Sequence, residues 1–194
     1  MKTPFVSLRP EIMRSDALVL MDWLEDPRVT RYLSDSRHVS GVIADAIGRT
    51  QMPILTHLFN QGGRFFMVYD RTDAPMGFVR LVKTEADCEI VVVIGDHQTW
   101  QRRLGTSAIL EGLKIAFLDM RARHVVAKIH PDNTPSLKAF RRCGFLDKSQ
   151  TSGLVTLFMS AGRYLQLLRT GALPGPGQIH ITEIDKERLE TLIA

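Results

Sequence analysis

A layered α+β domain, with a mixed and mostly antiparallel central sheet flanked by helices, is predicted by three observations. Three strand-like runs follow one another between Arg64 and Ile94, an amphipathic helical pattern fills residues 105–120, and the apolar run Val125-Val126-Ala127-Lys128-Ile129 comes directly after it. Strands joined by short turns pair antiparallel, whereas a strand reached through a helix is added to the same sheet by a crossover.

The elements follow in order. Val6-Ser7-Leu8-Arg9 alternates as a short strand, and Ser15-Asp16 offers N-cap chemistry to a helix carrying Leu18, Met21, Trp23 and Leu24. Asp26-Pro27 ends that helix; residues 34–40 read as a polar loop, and a second helix is expected from about Gly41, bent near Pro53 and finished before Gly62-Gly63. Phe65-Phe66-Met67-Val68-Tyr69, residues 77–83 and residues 88–94 are the three consecutive strands. In the helix at 105–120, Ala108, Gly112, Ala116 and Met120 form a ridge of mostly small residues suited to close approach on a sheet. Asn133 or Thr134 caps a shorter helix that has Pro135 in its first turn and Gly144 at its end, and strands from Phe145 and over 154–159 complete the sheet.

One domain over residues 1–170 is expected, with a strand and helix over 171–194 set off by Gly171-Ala-Leu-Pro-Gly-Pro-Gly177. Ile179, Ile181, Ile184, Leu189, Leu192 and Ile193 need cover, either from this domain or from a second copy in a homodimer. The 44% hydrophobic and 24% charged content excludes a disordered or fibrous chain. No apolar run reaches the ~20 residues of a membrane span and no signal-peptide pattern opens the sequence, so a cytoplasmic protein is expected. Two cysteines, Cys88 and Cys143, match no metal or disulfide spacing, and 25 Lys and Arg against 21 Asp and Glu fall short of a nucleic-acid footprint.

Chemistry concentrates where the strand Ile90-Val-Val-Val-Ile94-Gly95-Asp96 leads into Trp100-Gln-Arg-Arg-Leu-Gly105-Thr106-Ser-Ala108 and a helix. A helix N-terminus presents unpaired N–H groups and a partial positive charge, which suits a pyrophosphate. One strand later come Asn133, Ser136, Gly144 and Phe145. These residues resemble the GNAT superfamily of N-acetyltransferases, and within it the branch that acetylates ribosomal-protein N-termini and spermidine. That branch carries I-G-x-x-I-G-D, then W-G-K-G-Y-G-T-E-A, then N-x-x-S and an aromatic before G-F. The resemblance is strongest over residues 90–145 and extends more loosely to the N-terminal segment with Trp23-Leu-Glu-Asp-Pro27.

The resemblance implies the GNAT fold and an acetyl-CoA site that serves transfer to a primary amine, whether a protein N-terminus, a polyamine or a small molecule. The pantetheine is expected along Val92, Val93 and Ile94, the pyrophosphate on amides of Arg102, Arg103, Leu104, Gly105 and Thr106, and Asn133 and Phe140 as coenzyme-lining residues. The Val93 N–H is the expected oxyanion donor. Gln101 and Arg103 stand where the branch has glycines, and Ser107 where it has glutamate. A coenzyme A-binding module without turnover is therefore the alternative reading. Phe140 occupies the place of the tyrosine that protonates the thiolate in many members, so Ser136 is the candidate acid, against a bland role in helix capping. For the base, Glu89 at the start of the central strand competes with His97 on the loop after it. No metal is implied.

Overall fold

The computed structural model describes residues 6–33, 36–84, 87–100, 102–151, 153–174 and 183–193. Its strands are β1 (Ser7–Arg9), β2 (Arg64–Tyr69), β3 (Pro75–Thr84), β4 (Asp87–Ile94), β5 (His124–Ile129), β6 (Leu146–Thr151) and β7 (Leu154–Ser160). They form one sheet in the order β1-β2-β3-β4-β5-β7-β6. Every neighbouring pair is antiparallel except β4 and β5, which run parallel because a helix connects them. The expected mixed, mostly antiparallel sheet is the one observed.

Among the described residues, four helices precede β2: α1 (Arg14–Glu25), α2 (Pro27–Thr30), α3 (Ser36–Arg49) and α4 (Thr56–Phe59). α1 starts one residue ahead of the expected Ser15 cap, because the Asp16 carboxylate reaches back to accept the Met13 N–H at 2.9 Å. Asp16 also accepts from the Tyr69 hydroxyl, which pins α1 to β2; burial and then this bond push the Tyr69 hydroxyl up to about 12. Asp26 breaks α1 and caps α2 by accepting the Arg28 N–H at 2.9 Å. The expected loop is corrected from Ser36 onward, where the chain is already helical. Ser40, polar in the sequence, is buried with Ile43 and Ile47 because its hydroxyl donates to the Glu25 carboxylate at 3.2 Å. α3 stops at Arg49, and the Arg14 guanidinium satisfies its terminal carbonyls by donating to Ile47 O and Thr50 O. Helical structure resumes only as the separate α4, since Pro53 has no N–H to continue it.

After β4 come α5 (Leu104–Lys114), α6 (Thr134–Arg142), α7 (Ala161–Arg169) and α8 (Glu183–Ile193). α5 widens into a π-helical turn over Ile115–Asp119, closed by the Met120 N–H donating to Ile115 O. Its small-residue ridge sits on the sheet as the pattern predicts: a Cβ on Gly112 would meet Ile90 Cδ1 at 2.8 Å. α7 has no counterpart in the sequence reading; the Ser160 hydroxyl caps it by accepting the Arg163 N–H at 3.2 Å.

The sheet separates two apolar layers. One joins α5, α6 and α7 to Val79, Leu81, Ile90, Val125, Ala127, Leu157 and Met159; the other joins α1 and α3 to Phe65, Met67, Phe78 and Val93. Each fully buried aliphatic side chain contributes ~1.5–3 kcal/mol. Of the strand expected after the Pro-Gly linker, residues 179–182 lie outside the described residues, and Ile184 falls within α8. α8 rests against α7 and the π-helical turn of its own chain, with Arg169 ion-paired to Glu190. No described helix is long and apolar enough to cross a membrane.

Candidate active site

The parallel ladder between β4 and β5 is short. It pairs Asp87 with His124, Cys88 with Val125 and Glu89 with Val126, and then stops although β4 runs on to Ile94 and β5 to Ile129. The strands splay, leaving backbone groups of β4 facing a gap. Which groups face it follows from the alternation of an antiparallel ladder. The Gly95 N–H donates to Met76 O at 2.9 Å, and Phe78 lies opposite Val93, so the odd-numbered residues of β4 are hydrogen-bonded to β3. Val92 and Ile94 therefore turn their N–H and C=O groups toward the gap, while the Ile90 N–H is taken by the last pairing of the parallel ladder, Glu89 with Val126. Val93 is a correction: its N–H belongs to the ladder with Phe78 and does not point toward the gap as an oxyanion donor. At the gap's outer end the Trp100 indole donates to Ile94 O at 2.9 Å.

The turn beyond β4 aims the start of α5 at the same gap. Asp96 accepts the Gln98 N–H at 2.9 Å, and the Arg102 N–H donates to Thr99 O at 3.2 Å. The Arg102 amide is thus taken within the turn, which corrects its place among the phosphate donors; its side chain remains exposed. The helical ladder begins with the Ser107 N–H on Arg103 O, and the N-cap residue Arg103 makes no side-chain cap bond. The amides of Leu104, Gly105 and Thr106 precede that ladder and point outward as anion donors. A Cβ added to Gly105 would meet nothing nearer than Ile94 Cγ1 at 3.7 Å, so a side chain can start there without a clash.

Arg103 occupies the left-handed region at φ 63°. That conformation explains why the resembling branch has glycine there, and costs a non-glycine residue roughly 1–2 kcal/mol. Arg103→Gly is expected to raise the melting temperature by about 2–4 °C, the shift that ~1 kcal/mol produces in a chain of this size. A fall in differential scanning calorimetry would show that the Arg103 side chain contributes more than the strain costs.

The remaining predicted residues divide. Asn133 caps α6, its side chain accepting the Ser136 N–H at 3.3 Å, so the capping role belongs to Asn133 and not to the half-buried Ser136 hydroxyl. Phe140 is a correction: it is only 3% exposed and packs edge-on against Phe145 at 5.0 Å, a core residue rather than a coenzyme-lining one. Glu89 stands at the last paired position of β4, where the gap begins, and its carboxylate meets Lys128 Nζ of β5 at 2.6 Å. His97 is engaged elsewhere. Arg28 Nη1 lies 3.0 Å from its Nε2, and because a guanidinium only donates, that nitrogen's lone pair is occupied; Nδ1 faces Asp26 at 3.7 Å. Burial pushes the thiols of Cys143 and Cys88 up, to about 12 and about 11, which fits packed, unreactive side chains. Among the described residues no group of three or more His, Cys, Asp or Glu is placed to hold a metal.

Several residues at the gap escaped the sequence reading. Trp23 packs on Gly95 so closely that a Cβ there would fall 2.0 Å from the indole, which docks α1 against the end of β4. Tyr32, just past α2, stacks on His130 at 5.3 Å and donates its hydroxyl to Asp132 O at 3.3 Å, closing α2 onto the loop that carries Asn133. Asp26, Arg28 and Lys128 complete this group. The chain signals for them were weak: Trp23, Tyr32 and Lys128 meet partners on distant elements, and Asp26 and Arg28 read as a local pair until His97 is brought against them.

A sheet splayed beside a glycine-containing helix N-terminus is an arrangement that suits an extended, phosphate-bearing ligand. The chain belongs to the acetyltransferase (GNAT) domain family, which matches residues 6–146. It is an acyltransferase of the N-acetyltransferase type, with acetyl-CoA as cosubstrate. An uncharacterized N-acetyltransferase p20 from Bacillus licheniformis is 26% identical over 156 residues, 78% of this chain and 84% of that protein. Similar folds include spermidine N-acetyltransferase from Vibrio cholerae in complex with CoA and spermine, at TM-score 0.65 and 14% identity over 82% of this chain and 98% of that one. An aminoglycoside acetyltransferase in complex with coenzyme A superposes with TM-score 0.66 and 13% identity, covering 83% and 98% of the two chains.

Proposed function

We propose that this chain transfers the acetyl group of acetyl-CoA directly to a primary amine in the gap between β4 and β5. The observation that carries this reading is the geometry of that gap, which opens on the free amides of α5 and closes at Glu89. Bound acetyl-CoA supplies a thioester carbon open to attack and a thiolate leaving group. Leu104, Gly105 and Thr106 hold its pyrophosphate, and the backbone of Val92 and Ile94 orients the pantetheine. Of the donors facing the gap, the Val92 N–H is the one set to polarise the thioester carbonyl.

As the amine N–C bond forms and the C–S bond breaks, Glu89 takes the amine proton, directly or through one water, and Ser136 returns a proton to the thiolate. A thiolate with a pKa near ~8.5 asks little of that acid. The W-Q-R-R-L-G-T segment and the likeness to a spermidine N-acetyltransferase support a place in the branch of ribosomal-protein and polyamine acetyltransferases. The docking of α8 on α7 supports a domain over residues 1–170 with 171–194 as an extension held by the same chain.

The test is thermal denaturation with coenzyme A. Saturation at 100 times Kd is expected to add ~2.7 kcal/mol of stability, visible as a rise of roughly 5–10 °C, with NAD and ATP giving much less. An unmoved transition overturns the site. A shift without thiol release from any amine would mark a coenzyme A-binding module without turnover.

A further inference from the structure

Which amine reaches Glu89 is decided by the charges around it. Resting on the acetyl-transfer reading above, we propose that the acceptor is a small zwitterionic amine, its primary amine a few bonds from a carboxylate or phosphate, and that Lys128 and Arg80 bind that anion.

The three side chains share one face of the sheet. Arg80 lies between Phe65 on β2 and Val91 on β4, and Glu89 lies between Val82 and Val126. Lys128 is two residues beyond Val126, on the same side of the pleat. Phe65 and Val93 place this face under α1 and α3. The apolar cover extends to Phe78 and Val93, and beyond it Arg80 and Lys128 are exposed beside the half-exposed Glu89. With strands about 4.8 Å apart, the shelf from β3 to β5 spans roughly 10 Å, the size of an amino-acid-like molecule.

Its charge pattern is selective. Among the described strand residues Glu89 is the one carboxylate of this shelf at the start of the gap, because Asp87, the next on that face, lies within the paired part of the ladder and is held by His124 Nδ1 at 2.9 Å, while Asp26 beyond α1 is paired with Arg28 at 2.8 Å. Two cations flank Glu89: Lys128, bonded to it at 2.6 Å, and Arg80, which makes no ion pair with any described residue. A polyamine would need several carboxylates and would meet these cations instead. An amine that carries its own anion exchanges partners: the anion takes the Lys128 ammonium, and the released Glu89 carboxylate is left to accept the amine proton. Discrimination against polycations then comes from repulsion as much as from attraction.

The experiment measures thiol release from acetyl-CoA by the full chain with matched acceptors. L-serine is compared with L-serinamide, phosphoethanolamine with ethanolamine, and both with spermidine. The anion-bearing member of at least one pair is expected to have a kcat/KM at least tenfold above its neutral partner and above spermidine, and the responsive pair tells carboxylate from phosphate. Lys128→Met is expected to raise KM for that acceptor about tenfold with kcat changed much less, Arg80→Met to act in the same direction, and Lys128→Glu to shift preference toward spermidine. Preference for spermidine or the neutral amines, no turnover of either anionic amine, or an unchanged KM in both Met variants overturns the proposal. The coenzyme A thermal shift, read on the same samples, fails only if the underlying site assignment fails.

Discussion

Gly105→Trp is expected to remove coenzyme A binding while leaving the protein folded. Gly105 is the middle of the three α5 amides that precede the helical ladder, and its backbone lies outside the left-handed region, so a side chain is conformationally admissible. The new Cβ meets Ile94 Cγ1 at an ordinary 3.7 Å, and tryptophan has a helix propensity about 0.5 kcal/mol better than glycine. On the proposed reading the indole crowds the space that the pyrophosphate would take above these amides. Losing a diphosphate held by several backbone donors and the helix dipole is expected to weaken coenzyme A at least ~100-fold, since charge-assisted hydrogen bonds are worth ~1.5–3 kcal/mol each. Calorimetric titration measures the loss, and the melting temperature of the free variant checks the fold. Retained affinity in a folded variant would move the phosphate site away from α5.

The glycine itself was legible because it sits in a contiguous stretch, and so was most of the fold. Periods of two and of about 3.6 are local properties, and they placed β2, β3, β4, α5 and α6 within a few residues of their observed limits. The misreadings have a common cause in tertiary geometry. Val93 and Val92 look alike along the chain; only the register with Phe78 decides which N–H faces β3 and which faces the gap. Phe140 occupies a position that resembles a coenzyme-lining one, but its packing against Phe145 turns it inward. Lys128 interrupts an apolar run and reads as a strand residue facing solvent, while its meeting with Glu89 depends on a parallel register made possible by the α5 crossover. The helix over Ser36–Arg49 starts earlier than expected for a related reason: Ser40 reads as a loop residue, and only its hydrogen bond to Glu25 of α1 lets it be buried in a helix.

That parallel register leads to the largest kinetic effect. Glu89→Gln keeps the size and hydrogen-bonding shape of the side chain but cannot accept the amine proton. General-base catalysis contributes ~10²–10⁴-fold, so kcat is expected to fall by about that factor, with KM for acetyl-CoA unchanged because Leu104, Gly105 and Thr106 are untouched. The lost ion pair does not confound the result through stability: side-chain exposures of 30% for Glu89 and 50% for Lys128 make it a surface pair, of the kind worth ~0–1 kcal/mol. It can confound through charge, because Lys128 left alone would hold an anionic acceptor more tightly. The double variant Glu89→Gln, Lys128→Met removes that effect, and its kcat is expected to stay as low as that of Glu89→Gln. A kcat within threefold of the unmodified chain would mean that the amine loses its proton to solvent and that Glu89 only anchors Lys128.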